Sequence, residues 1–470
     1  MSKTNLPYMM GLRLRMYPNH VQERIMWKNI NAARFIYNQL IANSWTDSAI
    51  KRNKLDNKYP IPEKYWQYKK VKKTGELKLI KSSTNRPVGL ARIKGNERYP
   101  WLMDDDLDSD MFDNTEIHYQ TAWKMFHKVH TAGVPKFKRK SQPVQSYSTS
   151  THYSMKKLKA NNEVPSLYNG SIKFLDKQCT KAIKSKNRKK PALEWKNNHL
   201  QLPKLGKVKV KLHRRLPTNR LVRIARVTIK HYPSGAWCVS LLLKSDEPFN
   251  AVLTKTNSET GIDLNTENFL TTSSGKRVAN PNYYRIIKKR LAKEQRILSR
   301  RQRRAKKEHR SLHTSKNYQK QKLIVAKLHE KVRNQRKDFL HKESTALIKN
   351  HDLVVAENLK SKNMMKNHAL AMSISDVGWR TFLSMLEYKA PKYGRTFVEV
   401  NPAYTTQVCH NCGFRMGTHG TEKLTLKNRE WTCPYCHKHH IRDENAAKNI
   451  LTKGHQELDK SESKNSRIYC

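Results

Sequence analysis

Apolar residues alternate with arginines near the start of the chain. Leu12, Leu14 and Met16 are separated by Arg13 and Arg15, a two-residue period that predicts a strand ending at Tyr17-Pro18. The period then changes: Val21, Ile25, Ala32, Phe35, Ile36 and Leu40 recur at helical spacing, with Asn19 placed to cap. From about residue 43 to residue 100 no period persists and Lys, Asn and Pro accumulate, so this stretch reads as irregular or helical insertion material. Alternation returns where Val208, Val210 and Leu212 are interleaved with Lys207, Lys209 and Lys211. Such a strand packs a core with one face and offers cations with the other. Val227 and Ile229, then Val239, Leu241 and Leu243, predict two more strands turned by Pro233-Ser234-Gly235. Residues from about 160 to 250 therefore predict a small β-barrel or sheet with a basic outer face. Ile324, Leu328, Val332 and Phe339 trace a narrow apolar stripe on a helix, and Leu353-Val354-Val355-Ala356 a buried strand.

Charge changes the picture most. The 470 residues, enough for two or three domains, carry 94 Lys plus Arg against 38 Asp plus Glu, a formal charge of +56. Self-repulsion of that size calls for a polyanion, so nucleic acid is the expected partner rather than a membrane surface. No apolar leader opens the N-terminus and no run of 18 apolar residues occurs, so the expected location is the prokaryotic cytoplasm. From Arg285 to Glu343 there are 22 Lys plus Arg and 5 acids. This predicts a long helical hairpin that tracks phosphates, with a solvated charged helix as the alternative. The basic loop 133–140 carries Phe137, placed either to stack on a base or to pack. Asp104, Asp105, Asp106, Asp108, Asp110 and Asp113 fit no calcium-loop register and read as a solvated turn and a helix N-terminus.

Seven cysteines occur, and Cys179, Cys238 and Cys470 are scattered. The other four form Cys409-x2-Cys412, 20 residues, then Cys433-x2-Cys436. Zinc takes four thiolates in a tetrahedron, and each pair supplies two from one tight turn. Iron is the next candidate. With all four positions filled by cysteine none is open to water, so the metal is expected to be structural.

Three acids stand in a different setting. Asp263 follows Gly261-Ile262, Glu357 ends the apolar run from Leu353, and Asp443 opens a helical stretch just beyond the cysteines. Acids at strand ends and a helix start can converge on one sheet edge and hold two Mg²⁺ ions for phosphodiester cleavage. Each acid taken singly reads as a cap or a surface charge.

At these residues the chain resembles the TnpB family of transposon-encoded RNA-guided nucleases, relatives of the miniature type V CRISPR effectors. Matching stretches include Arg13-Leu14-Arg15-Met16-Tyr17-Pro18, Pro135-Lys136-Phe137-Lys138, Gly261-Ile262-Asp263-Leu264, Thr406-Gln407-Val408-Cys409, Trp431-Thr432-Cys433-Pro434 and residues 443–450. Residues from about 44 to 115 have no counterpart. The resemblance implies a multidomain α+β fold: an RNase H-like RuvC nuclease core (mixed sheet with helices), a zinc-ribbon insert, a wedge β-barrel and a helical recognition lobe.

The implied boundaries are a first wedge strand at 1–18, a recognition lobe at 19–155, the wedge barrel at 156–255 and the nuclease core at 256–402 with its hairpin at 285–343. The zinc-ribbon insert follows at 403–440, the last nuclease segment at 441–453, and a disordered tail at 454–470. Asp263, Glu357 and Asp443 match the family's metal-binding acids. The resemblance also implies Mg²⁺ as catalytic cofactor, structural zinc at Cys409, Cys412, Cys433 and Cys436, and a monomer that carries a guide RNA and cuts target DNA beside a short duplex motif. One position departs: many relatives have a further Asp where this chain has Ile441. A miniature CRISPR effector, an RNA-guided binder without cleavage and a strand-joining transposase remain as alternatives.

Overall fold

The alternating start of the chain becomes strand β1 (Tyr8–Tyr17), with Leu12, Leu14 and Met16 buried and the intervening arginines exposed. Helix α1 (His20–Arg52) follows. Its first turn is closed reciprocally: the Gln22 N–H donates to Asn19 Oδ1 at 2.8 Å, and the Asn19 N–H donates to Gln22 Oε1 at 3.1 Å. The computed structural model describes residues 6–52, 68–70, 77–79, 93, 99–175, 179–183, 192–196, 198–213, 216, 220–265, 267–359, 376–425 and 427–466. Much of the 44–115 stretch read as an insertion lies outside the described residues. The chain divides into two units, residues 1–249 and 250–470.

In the first unit, helix α2 (Ser109–Lys128) explains the acidic cluster. Asp108 caps it by accepting from the Asp110 N–H, while the Lys28 ammonium lies 2.6 Å from both Asp104 and Asp106. The cluster is a cap and an anchor for α1. Strands β2 (Gln145–Ser150), β3 (Lys173–Phe174), β4 (His199–Leu202), β5 (Gly206–Lys211), β6 (Val222–His231) and β7 (Trp237–Ser245) join β1 in a seven-stranded sheet of order β2-β6-β7-β1-β5-β4-β3. Each pairing is antiparallel. Val208 and Val210 face the core while Lys207, Lys209 and Lys211 are exposed, as the alternation predicts. Met26, Ile30, Ile36 and Leu40 of α1 join Leu14, Val227 and Leu241 in this core. Each such side chain contributes about 1.5–3 kcal/mol on burial.

The second unit is built on β8 (Glu259–Asp263), β9 (Asn268–Thr272), β10 (Arg277–Ala279), β11 (Leu353–Glu357) and β12 (Thr396–Val400). The order is β10-β9-β8-β11-β12. β8, β9 and β10 pair antiparallel, whereas β11 joins β8 and β12 joins β11 in parallel. Numbered within the sheet this order is 3-2-1-4-5, the RNase H-like arrangement. The long excursion between β10 and β11 is a helical hairpin, α3 (Tyr283–Lys307) and α4 (Lys316–Asn350). Leu340, Leu347 and Ile348 of α4 and Phe382, Leu383 and Leu386 of α5 (Trp379–Lys392) cover one side of the sheet.

The other side is covered by α6 (Arg442–Ser466), which crosses β8 and β11 closely. Two glycines permit this approach. A Cβ at Gly261 would lie 2.1 Å from the Ala447 carbonyl oxygen, and one at Gly454 would lie 2.3 Å from Val355 Cγ2. Because α6 continues to Ser466, the expectation of a disordered tail from residue 454 is corrected through that residue. Leu458 packs with Leu353, Val355, Val400 and Ile450, which gives the extra turns an apolar anchor. A short hairpin, β13 (Glu430–Thr432) and β14 (His439–Ile441), precedes α6. Among the described residues, no helix is long and apolar enough to cross a membrane.

Candidate functional site

Asp263 and Glu357 are the last residues of β8 and β11, which run side by side in parallel. Their side chains therefore leave the sheet at one edge. Asp443 stands in the first turn of α6. The Asn265 amide nitrogen lies 3.4 Å from Asp263 Oδ2 and 3.3 Å from Asp443 Oδ2, so it bridges two of the acids. The structure thus brings together three carboxylates that are 94 and 86 positions apart in sequence (357 − 263 and 443 − 357).

The surroundings are unfavourable for so much negative charge. Asp263 and Glu357 are 7% and 6% exposed. Burial, then the charges of Glu357 and Asp443, push the Asp263 carboxyl up to about 7. Glu357 is also pushed up by burial, against the Thr405 hydroxyl and the Lys453 charge, which act the other way. Crowded carboxylates in a low-dielectric site are relieved by a proton or by a cation. The donors are hard oxygens, and such a set fits Mg²⁺. Two guanidiniums flank the third acid: Arg442 donates to Asp443 Oδ1 at 3.0 Å, and Arg429 lies 3.9 Å from Asp443 and 2.6 Å from Glu267.

The cysteines form a second cluster. Their four sulfurs all lie within 4.8 Å of one another, close enough to share one metal ion. Sγ atoms are 3.7 Å apart for Cys409 and Cys436 and 3.6 Å for Cys412 and Cys433. Each pair sits in a tight turn: the Gly413 N–H donates to the Cys409 carbonyl and the His437 N–H to the Cys433 carbonyl, both at 2.9 Å. Gly413 and His437 occupy matching left-handed positions, φ 78° and 55°. Glycine is at ease there; the histidine is strained by roughly 1 kcal/mol. The Lys438 N–H pulls the Cys436 thiol down to about 6, toward the thiolate a metal takes, while burial pushes Cys409 up.

Several residues at the two clusters have no signature in the pattern. His440 Nε2 lies 3.0 Å from Cys409 Sγ, and its ring tilts against Trp431 at 4.8 Å. Asn445 and Asn449 share a face of α6 and bind the first cysteine turn. Asn445 Nδ2 donates to the Val408 carbonyl and its Oδ1 accepts from the His410 N–H; Asn449 Nδ2 donates to the Val408 and Thr405 carbonyls. Their four-residue spacing was the available signal, since two amides one helical turn apart face one neighbour. Thr405, Arg429 and Asn265 gave no such sign. Ile441 pairs with Glu430 in the hairpin.

Three family models match the chain. One described as "Probable transposase" covers residues 241–368, a "Cas12f1-like, TNB domain" covers 379–450, and a "Helix-turn-helix domain" covers 9–47. The last segment folds here as β1 and the first part of α1. A protein of Streptomyces pristinaespiralis named "Putative RNA-guided DNA endonuclease" is 37% identical over 266 residues, 56% of this chain and 61% of its own length. "Putative RNA-guided DNA endonuclease InsQ" of Escherichia coli is 31% identical over 281 residues, 57% of this chain and 64% of its own. The chain thus spans less than two thirds of these relatives. A solved structure described as a mini-RNA-guided endonuclease, CRISPR-Cas_phi3, shares 10% identity at a TM-score of 0.39, covering 95% of this chain and 92% of that one.

Proposed function

We propose that this chain, which belongs to the TnpB family, is an RNA-guided DNA endonuclease whose carboxylates Asp263, Glu357 and Asp443 carry the cleavage. The observation that supports this most is the convergence of three acids, two of them buried, in a protein of charge +56. A carboxylate cluster alone would repel a phosphodiester. With divalent cations held by all three it attracts one.

Mg²⁺ at this edge would supply water activation and neutralisation of the leaving oxygen. The protein's own residues do the rest. Asp263 and Glu357, fixed at the ends of paired strands, set two ligand positions that cannot drift independently. Asn265 holds Asp263 and Asp443 toward each other through one amide group. Arg429, half-exposed beside Asp443, offers a cation to a backbone phosphate entering the site. Elsewhere, the exposed lysines of β5 and the α3–α4 hairpin offer phosphate-binding surface for guide RNA and target DNA. The four cysteines hold structural zinc in this reading, and the segment 403–440 serves as the insert that leads the target strand to the acids.

The test is purification of the chain with its native flanking DNA expressed alongside, sequencing of the RNA that accompanies it, and incubation of the complex with matched and mismatched plasmids in Mg²⁺. A single co-purifying RNA species and cleavage of the matched plasmid alone are expected. Ile441 favours one second reading, an RNA-guided binder with weak or absent cleavage. That reading gains if the matched plasmid is bound but stays intact.

A further inference from the structure

We propose that Thr405 is a positioning residue for Glu357, and that Asn445 and Asn449 hold it in register with the first cysteine turn. The inference rests on the nuclease reading of the three acids and goes beyond it by naming what orients one of them. The Thr405 hydroxyl, 3% exposed, donates to Glu357 Oε1. The same oxygen lies 3.2 Å from the Pro402 carbonyl, but a hydroxyl has one proton and the carboxylate is both nearer and more basic. One carboxylate oxygen is thereby held, which fixes the rotation of the carboxyl group about its last bond.

What fixes Thr405 is the helix that bears the third acid. Asn449 Nδ2 donates to the Thr405 carbonyl at 2.8 Å and to the Val408 carbonyl at 2.7 Å. Asn445, one turn earlier, takes the Val408 carbonyl at 2.7 Å and the His410 N–H at 2.9 Å. Both asparagines are buried, so these bonds are made without competing water. A continuous polar chain results, from the Cys409 turn through residues 405–408 to Glu357, hung on the helix whose first turn bears Asp443. The cysteine cluster and the carboxylate cluster share a support, and Thr405 is the point where that support touches a metal ligand. Outer hydrogen bonds of this kind change metal affinity by about 10- to 100-fold when removed.

The experiment compares wild type, Thr405→Val, Thr405→Ser and Asp263→Ala, each as the full chain with its co-purified RNA. Mn²⁺ binding is read by electron paramagnetic resonance, and the Mg²⁺ concentration for half-maximal cleavage is read beside it. Zinc content and melting temperature are recorded for every variant. Thr405→Val should weaken Mn²⁺ binding about tenfold and raise the Mg²⁺ requirement by a similar factor, with cleavage recovering at high Mg²⁺. Thr405→Ser should restore both, because it keeps the hydroxyl and loses a methyl group. If Thr405→Val loses its zinc or its fold, Thr405→Ala, which needs no extra space, takes its place against Thr405→Ser. Wild-type Mn²⁺ affinity and Mg²⁺ requirement in the hydroxyl-free variant, with binding abolished in Asp263→Ala, overturn the role of Thr405 and leave the nuclease reading standing. Mn²⁺ binding that survives unchanged in Asp263→Ala overturns both.

Discussion

The two candidate metal clusters of this chain lie in one unit and are built in opposite ways. The cysteine quartet spans 28 residues from Cys409 to Cys436 (436 − 409 + 1) and needs two tight turns on one short insert. The carboxylate trio spans 181 residues from Asp263 to Asp443 (443 − 263 + 1) and needs a parallel strand pair and a helix crossing it. The first is a local device that can form wherever its segment folds. The second exists only when the whole sheet is assembled. The cysteines are soft donors already at mutual contact, and the acids are hard donors, two of them bridged by an asparagine amide and the third held by a threonine hydroxyl. The difference teaches how each is to be disturbed. On the proposed reading, loss of one acid should remove chemistry and leave the fold, whereas loss of one cysteine should loosen the support that the acids share.

The largest effect is expected where chemistry is removed outright. Asp263→Ala should lower cleavage by about 10³-fold or more while RNA and DNA binding hold, because phosphate contacts made by lysines and arginines are untouched. Binding assays run beside plasmid cleavage check this. Next comes the cysteine side. Cys433→Ser, or removal of zinc by a chelator, should lower cleavage about 10²-fold and release the insert to proteolysis between residues 403 and 440, with RNA binding preserved. Limited proteolysis followed by mass spectrometry reads the second effect, and an insert that stays protected would break the comparison. An intermediate loss, about tenfold in cleavage, is expected for Asn449→Ala, which severs two bonds to the first cysteine turn but removes no metal ligand.

The remaining effect is on stability and has the opposite sign. Asp263 is pushed up to about 7 from an ordinary 3.8, so the unfolded chain gives up this proton more readily. Folding is therefore penalised above about pH 4, increasingly up to pH 7 and fully beyond it. In metal-free protein Asp263→Asn should raise stability by something on the order of 2 kcal/mol at pH 7.5, and the gain should fade toward pH 4. Thermal melts in excess chelator at the two pH values measure it. Destabilisation by Asp263→Asn at pH 7.5 would mean that the carboxylates are relieved by something other than a cation.

Much of this was legible in the chain, for reasons that differ by residue. Periodicity gave β1, β5, β6 and β7, because one face of each strand is buried and the other is wet. Spacing gave the cysteine cluster, because a C-x2-C turn is a local geometry. The acids stood at element ends, but each taken singly read as a cap or a surface charge and only the family resemblance singled them out; their convergence depends on strand order, which no local pattern carries. Thr405 was out of reach for the same reason: its partner Glu357 is 48 residues away, and a threonine before a cysteine turn signals nothing by itself. The helical run to Ser466 was missed because the polar stretch after Lys453 hides Leu458, whose partners are strand residues far upstream.

The most direct test of a single catalytic site is cleavage by four complexes assembled with the same co-purified RNA: wild type, Asp263→Ala, Glu357→Gln and Asp443→Asn. Each is given a matched plasmid in Mg²⁺, and bound and cut fractions are measured in the same tubes. All four are expected to bind the plasmid, and wild type alone to cut it. Full cleavage by any one of the three variants would contradict the claim that these carboxylates act together as one site.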